Sequence, residues 1–227
     1  MNEGVSSAIN PADTERDRVA VADFLLRLRR QGITDRAVVS AMEAVPRRLF
    51  VPYEARNSAY FERALPIECG QSISAPEVVA QMTSALDVKP EHQVLEIGTG
   101  SGYQAAILSQ LARHVYTIER FRTLVELAEL RFRTMRIENI TVLLGDGTTG
   151  WPANATFDRI IVTAAAEEVP PALFEQLKPN GVLVAPIGPT DGIQKLLRIV
   201  KDEGGRTETV LNEVRFVPLI PGTAAYL

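Results

Sequence analysis

Residues 94–102 read VLEIGTGSG: a short apolar, β-favouring run holding one carboxylate, then glycines at 98, 100 and 102. Glycine at alternate positions clears one side of a tight turn, so a ligand or another backbone can approach closely. The helical pattern AAILSQLA follows at 105–112, so the loop joins a strand to a helix, the context in which a Gly-rich turn carries weight. From Val94 onward strands and helices alternate: VLEI, a helix from about Tyr103, VYTI, a helix through LVELAELRFRTM, ITVLL, FDRIIVT, a helix through PALFEQLK, then GVLVAPI. The alternation predicts an α/β, doubly wound fold. IQKLLRIVK, a turn at DEGGR and TETVLNEVRFVPL predict an antiparallel hairpin on the sheet edge, for a mostly parallel sheet of seven strands.

Upstream, Val19, Val21, Phe24, Leu25 and Leu28 recur near helical spacing, Gly32 reads as a stop, and Thr34 is expected to cap a second helix, TDRAVVSAMEAV. Residues 1–15 are polar and turn-rich and read as a flexible extension.

The 227 residues are 46% hydrophobic and 23% charged, enough for one large domain, and the net charge of −4 offers no overall basic surface to nucleic acid or an anionic membrane. The opening MNEGVSSAINPADTERDR has acids and a proline where a signal peptide needs an apolar core, and no run nears ~18 apolar residues, so a cytoplasmic protein is expected. The single cysteine, Cys69, cannot form an intrachain disulfide, and with two separated histidines it makes no zinc site; no metal is expected. No base flanks Cys69 in IECGQS, which favours a small buried residue over a nucleophile, and His92 and His114 suit surface or capping roles. The arginines at 27, 29, 30, 47 and 48, and those at 131, 133 and 136, read as solvated helix faces.

In an open parallel sheet, ligands bind at the carboxyl ends of the strands, where strand order reverses. The dinucleotide fingerprint would place its third glycine or alanine at Tyr103, which weakens an NAD reading, and no Lys-Ser or Lys-Thr follows the glycines to make a P-loop. Glu119, ending the second strand, can accept both hydroxyls of a ribose, and Asp146 in LLGDGTTG is placed to meet an adenine edge, with Gly147 allowing close approach. Singly these acids read as solvated loop residues; at successive strand ends with Gly98, Gly100 and Gly102 they outline a nucleoside pocket.

Glu96 to Gly102 matches E-x-G-x-G-x-G, and the chain resembles the S-adenosylmethionine-dependent methyltransferases with a Rossmann-like fold. Within them it is similar to the protein-L-isoaspartate O-methyltransferase family, on PIECGQSISAP at 66–76, VLEIGTGSGY, GDG at 145–147, FDRIIVTAA at 157–165, QLKPNGVLVAPIG and RFVPL, with VPRRLFVP at 45–52 fitting upstream. The resemblance implies one domain over 16–227: helices and a substrate loop to 90, a cofactor-binding core over 91–190, and C-terminal strands over 191–227. It implies S-adenosyl-L-methionine as cofactor, S-adenosyl-L-homocysteine as product, isoaspartyl-containing proteins and peptides as substrates, and a monomer. It also sets Ser72, Ile73 and Thr163 beside Glu96, the glycines, Glu119 and Asp146 as cofactor-binding residues.

Methyl transfer to a carboxylate needs alignment and exclusion of water, but no strong base, because a carboxyl of pKa ~4 is already ionised at neutral pH. Read from the residues alone, Ser74 is placed to cap the helix PEVVAQMTSAL. The resemblance instead makes Ser74 the active-site serine, hydrogen-bonding the substrate carboxylate, and has the backbone of Val217, otherwise an edge-strand residue, meet the substrate peptide. Ser72 stands where the family more often has threonine, and Glu68 and Cys69 depart from its pattern in the substrate loop.

Two other functions compete. A methyltransferase acting on RNA or a small molecule is disfavoured by the acidic balance and by VTAAAE where base-methylating enzymes carry Asn/Asp-Pro-Pro-Tyr; a non-catalytic cofactor-binding module that recognises proteins is set apart by Ser74→Ala, which in the enzyme should keep cofactor binding with much reduced turnover.

Overall fold

The computed structural model describes residues 11–152 and 154–224, with side chains from residue 18 onward. Two helices lead, α1 (Pro11–Arg30) and α2 (Arg36–Ala44), separated by a left-handed Gly32 at φ 87°. Of the expected extension, residues 1–10 lie outside the described residues and 11–15 are helical. Asp35, not Thr34, caps α2: its carboxylate accepts the N–H groups of Ala37 at 2.8 Å and Val38 at 3.3 Å, the second and third helical positions that a capping oxygen reaches.

Two 3-10 turns, Arg47–Phe50 and Tyr53–Ser58, lead to a small antiparallel ribbon of β1 (Leu65–Pro66) and β2 (Ser72–Ile73), then to α3 (Pro76–Leu86). The core follows: β3 (Gln93–Ile97), α4 (Tyr103–Ser109), β4 (His114–Glu119), α5 (Arg122–Thr134), β5 (Ile140–Leu144), β6 (Phe157–Val162), α6 (Pro171–Glu175), β7 (Leu177–Ile187), β8 (Gln194–Asp202) and β9 (Gly205–Val214). These seven strands form one sheet in the order β5-β4-β3-β6-β7-β8-β9, with β5 to β7 parallel and β8 antiparallel to both neighbours, the fold class the sequence predicts.

Val94, Leu95 and Ile97 are all buried because helices cover both faces of a parallel sheet, and α5 turns Leu124, Ala128 and Phe132 inward at a spacing of one helical turn. Two C-terminal expectations change. Helix α6 stops at Glu175, because Leu177 already pairs with Phe157 as part of β7, and the Lys201 ammonium donates to the carbonyls of Phe174 at 2.9 Å and Leu177 at 2.7 Å. RFVPL is not a continuation of β9: it leaves the edge after Val214 and crosses back over the sheet, where Ala165 bonds to both Val217 and Leu219 at 2.7 Å.

Candidate active site

Winding reverses between β3 and β6, and a cavity of about 880 Å³, partly open to solvent, lies where their carboxyl ends diverge. Its sheet wall carries Gly98, Gly100, Glu119, Gly147 and Thr163, and its loop wall carries Ser72, Ile73 and Ser74. Val217 closes it from the C-terminal crossing. Glu96, Gly102 and Asp146 stand outside the lining.

The glycines do different work. At Gly98, φ 95°, a Cβ would sit 2.5 Å from Thr163 Oγ1, the hydroxyl that secures the turn by donating to the carbonyls of Ile97 and Gly98. At Gly102, φ 88°, a Cβ would sit 2.9 Å from Phe132 Cζ, so that glycine lets α4 pack on α5. A Cβ on Gly147 would run into Ile97. Only at Gly100, φ 53°, is the space open, with Ile67 Cδ1 at 3.8 Å the one neighbour, and this is where a ligand can approach the main chain.

Glu119 is 5% exposed; its Oε2 accepts the Gly100 N–H at 2.8 Å and its Oε1 those of Arg120 at 2.8 Å and Phe121 at 3.0 Å. Burial raises its pKa, and these three N–H groups oppose the rise. A carboxylate offers about four acceptor sites; three are filled here, which leaves one open.

Glu96 lies fully buried behind the loop. Thr117 Oγ1 donates to its Oε2 at 2.5 Å and meets Thr99 Oγ1 at 2.6 Å, while Oε1 has no partner among the described residues; burial pushes the carboxyl up to about 8, which favours the neutral form. Asp146 turns elsewhere: its Oδ1 accepts the N–H and hydroxyl of Thr148, and its Oδ2 the Gly222 N–H at 2.6 Å. Burial works to raise its pKa, but the bonds from Thr148 and Gly222 outweigh it and hold the group below the ordinary aspartate value. Asp146 therefore fastens the C-terminal crossing over the end of β5.

On the loop wall, the residue capping α3 is Ala75, with no side-chain bond, and Pro76 supplies no N–H. The capping role open to Ser74 is thus unused, and its hydroxyl has no partner among the described residues. Its carbonyl does have one: Arg47 Nη2 donates to it at 2.6 Å, while Arg47 Nε donates to Ala59 O at 2.7 Å. Arg47 is fully buried, which overturns the solvated-face reading. In a 3-10 turn, residues three apart share a face, so Arg47 lies with buried Phe50; reading the segment at that period would have found it.

Arg131 likewise departs from its expected face. Its side chain is 14% exposed, donates to Ser101 O at 2.9 Å and stands 3.9 Å from Glu68, so it bridges the Gly-rich and substrate loops. It falls seven residues after Leu124, on the stripe that α5 buries.

Val217 O accepts the Ala165 N–H, which leaves the Val217 N–H as the group without a partner among the described residues. Cys69 holds a left-handed φ of 59°, and burial raises its thiol pKa, disfavouring the thiolate. His92 and His114 lie at the amino ends of β3 and β4, across the sheet from the cavity, bonded to Lys89 N and Thr141 Oγ1. Among the described residues no cluster suited to a metal ion occurs, and no helix is long and apolar enough to cross a membrane.

The family model for protein-L-isoaspartate(D-aspartate) O-methyltransferase matches residues 20–224. The chain belongs to this family. A protein-L-isoaspartate O-methyltransferase of Azorhizobium caulinodans is 54% identical over 215 residues, 95% of this chain and 99% of that protein. That of Xanthobacter autotrophicus is 52% identical over 219 residues, 96% of this chain and all of the relative. Among solved structures, one assigned as the Plasmodium falciparum enzyme, in complex with S-adenosyl-L-homocysteine, superposes with a TM-score of 0.76 at 27% identity, covering 87% of this chain and 97% of the other.

Proposed function

We propose that this chain methylates the α-carboxyl of L-isoaspartyl residues in damaged proteins and peptides with S-adenosyl-L-methionine, initiating their repair and releasing S-adenosyl-L-homocysteine. The single observation that carries the reading is that Ser74, whose hydroxyl has no partner among the described residues, lines the same cavity as the open Gly100 and the Glu119 carboxylate. The fit to a nucleoside sulfonium rests on two features: the clearance at Gly100 and the acceptor site left on Glu119.

The cofactor supplies an activated methyl on a cationic sulfur. The chain's own residues align and shield. The acceptor carboxylate arrives ionised, so no histidine is needed at the cavity, and none lines it. Ser74 Oγ is placed to donate a hydrogen bond to that carboxylate, turning one oxygen toward the methyl. Ile73, Met82 and Phe216 give apolar walls that keep water out. The Val217 N–H, left over by the pairing with Ala165, is the main-chain group able to hold a substrate peptide. Thr163, Gly98, Gly102 and Asp146 serve the cofactor by holding the loop and the crossing in place, and Ser72 and Ile73 by lying along it. The protein acts as a cytoplasmic monomer without nucleic acid or membrane partners; its net charge of −4 supports the absence of nucleic-acid and anionic-membrane partners.

Incubation with labelled cofactor and either an isoaspartyl peptide or its aspartyl counterpart tests the assignment. Label is expected on the isoaspartyl peptide alone; equal labelling, or none, removes it.

A further inference from the structure

Arg47 has no part in the chemistry above, yet it lies fully buried, where a guanidinium is costly unless its donors are matched. Its contacts converge on the site. Nη2 holds Ser74 O at 2.6 Å, Nε holds Ala59 O at 2.7 Å, Nη1 has no partner among the described residues, and the guanidinium carbon lies 4.9 Å from the ring centroid of Tyr103, the cavity-lining residue that opens α4 directly after the Gly-rich loop. The local scaffold around Ser74 is slight: a ribbon of two residue pairs before it, and a helix without a side-chain cap after it. Nothing nearby in sequence fixes the serine.

We propose that Arg47 is the positioning residue for Ser74, tying the serine's carbonyl to Tyr103 behind the cofactor loop so that hydroxyl and loop keep one geometry. The inference rests on Ser74 acting as proposed above. An arginine suits the task because its planar fork reaches two carbonyls and an aromatic face at once; a lysine ammonium is a point charge without that shape. A shift of about 1 Å in such a group costs on the order of a hundredfold in rate.

Steady-state kinetics on an isoaspartyl peptide, with the full-length wild type, Arg47→Lys, Ser74→Ala and the double variant, separates positioning from plain support of the fold. Melting temperature and calorimetric affinity for S-adenosyl-L-homocysteine serve as controls. Arg47→Lys is expected to lower kcat about thirtyfold, with the peptide KM and the product affinity within about twofold of wild type. Placed on Ser74→Ala, the same substitution is expected to change kcat less than about twofold, because the group it positions is gone. Losses that multiply in the double variant, or a folded Arg47→Lys with wild-type kcat, overturn the proposal while leaving Ser74 in place. A Ser74→Ala enzyme with wild-type turnover takes away the premise, and the proposal with it.

If Arg47→Lys does not fold, lactic acid in place of Ala75 converts the bond after Ser74 to an ester. The Ser74 carbonyl then becomes a weaker acceptor with Arg47 intact. A loss of at least about threefold in kcat is expected, and an unchanged kcat overturns the proposal.

Discussion

The two walls of the cavity are assembled by different means. The sheet wall is held by main-chain bonds between adjacent strand ends, Gly98 N to Ile118 O, Thr163 N to Ile97 O and Gly145 N to Glu119 O, each at 2.9 Å, and the Glu119 and Thr163 side chains add to them. On the loop wall, apart from the Arg131 link to Glu68, the hold on Ser74 comes from one side chain reaching 27 positions along the chain, Arg47. A wall knit from many backbone bonds tolerates the loss of any one of them, whereas a wall hung on a remote side chain does not. The difference follows from what each wall must do. The cofactor side presents fixed N–H and C=O groups, which strand ends supply without help; the substrate side must aim one hydroxyl, and a short ribbon supplies no such constraint.

Substitutions on each wall can break or sharpen this contrast. The largest effect is expected at Ser74. Ser74→Ala should lower kcat on the order of a hundredfold, the loss typical of one well-aimed donor, with S-adenosyl-L-homocysteine affinity kept within about twofold; a matching loss of affinity would mean that the walls are not separable. Next comes Glu119→Ala, which should weaken S-adenosyl-L-homocysteine binding about thirtyfold, or ~2 kcal/mol, as titration calorimetry would report. Undiminished affinity would remove Glu119 from the nucleoside site.

Behind the sheet wall, Glu96 makes stability depend on pH. Its carboxyl titrates at about 8 in the fold and near ~4.3 in an unfolded chain. Its stabilising contribution is therefore complete below the unfolded value and is lost as pH climbs to the folded one. Glu96→Gln should flatten the fall of melting temperature between roughly pH 5 and 8, and a slope equal to that of wild type would contradict this. The smallest effect is expected where the walls touch. Arg131→Met cuts the link from Ser101 O to Glu68 and should raise the KM for both substrates about threefold, or ~0.7 kcal/mol, with kcat nearly constant.

The fold was legible because its signals are local. The strand VLEI, the alternate glycines and the acid ending VYTI each occupy a few consecutive residues, and parallel strands buried on both faces announce themselves as apolar runs. The family's blocks then singled out Ser74, which spacing alone read as a helix cap. Legibility failed where a polar group's partner is distant. Asp146 looks like a free loop acid until Gly222, 76 residues on, is seen to occupy it. The Val217 carbonyl looks available until Ala165 is found against it.

The sequence by itself determined the winding of the sheet and the place of the glycine-rich loop at β3, since backbone geometry and apolar periodicity are written in neighbouring residues. Only the tertiary structure decided which charged groups are spent inside the protein and which remain for a ligand. Nothing in the neighbouring residues of Arg47, Arg131, Asp146 and Glu96 says which of them will be buried. Their fates diverge because burial and hydrogen-bond partners come from segments that meet only when the chain has folded.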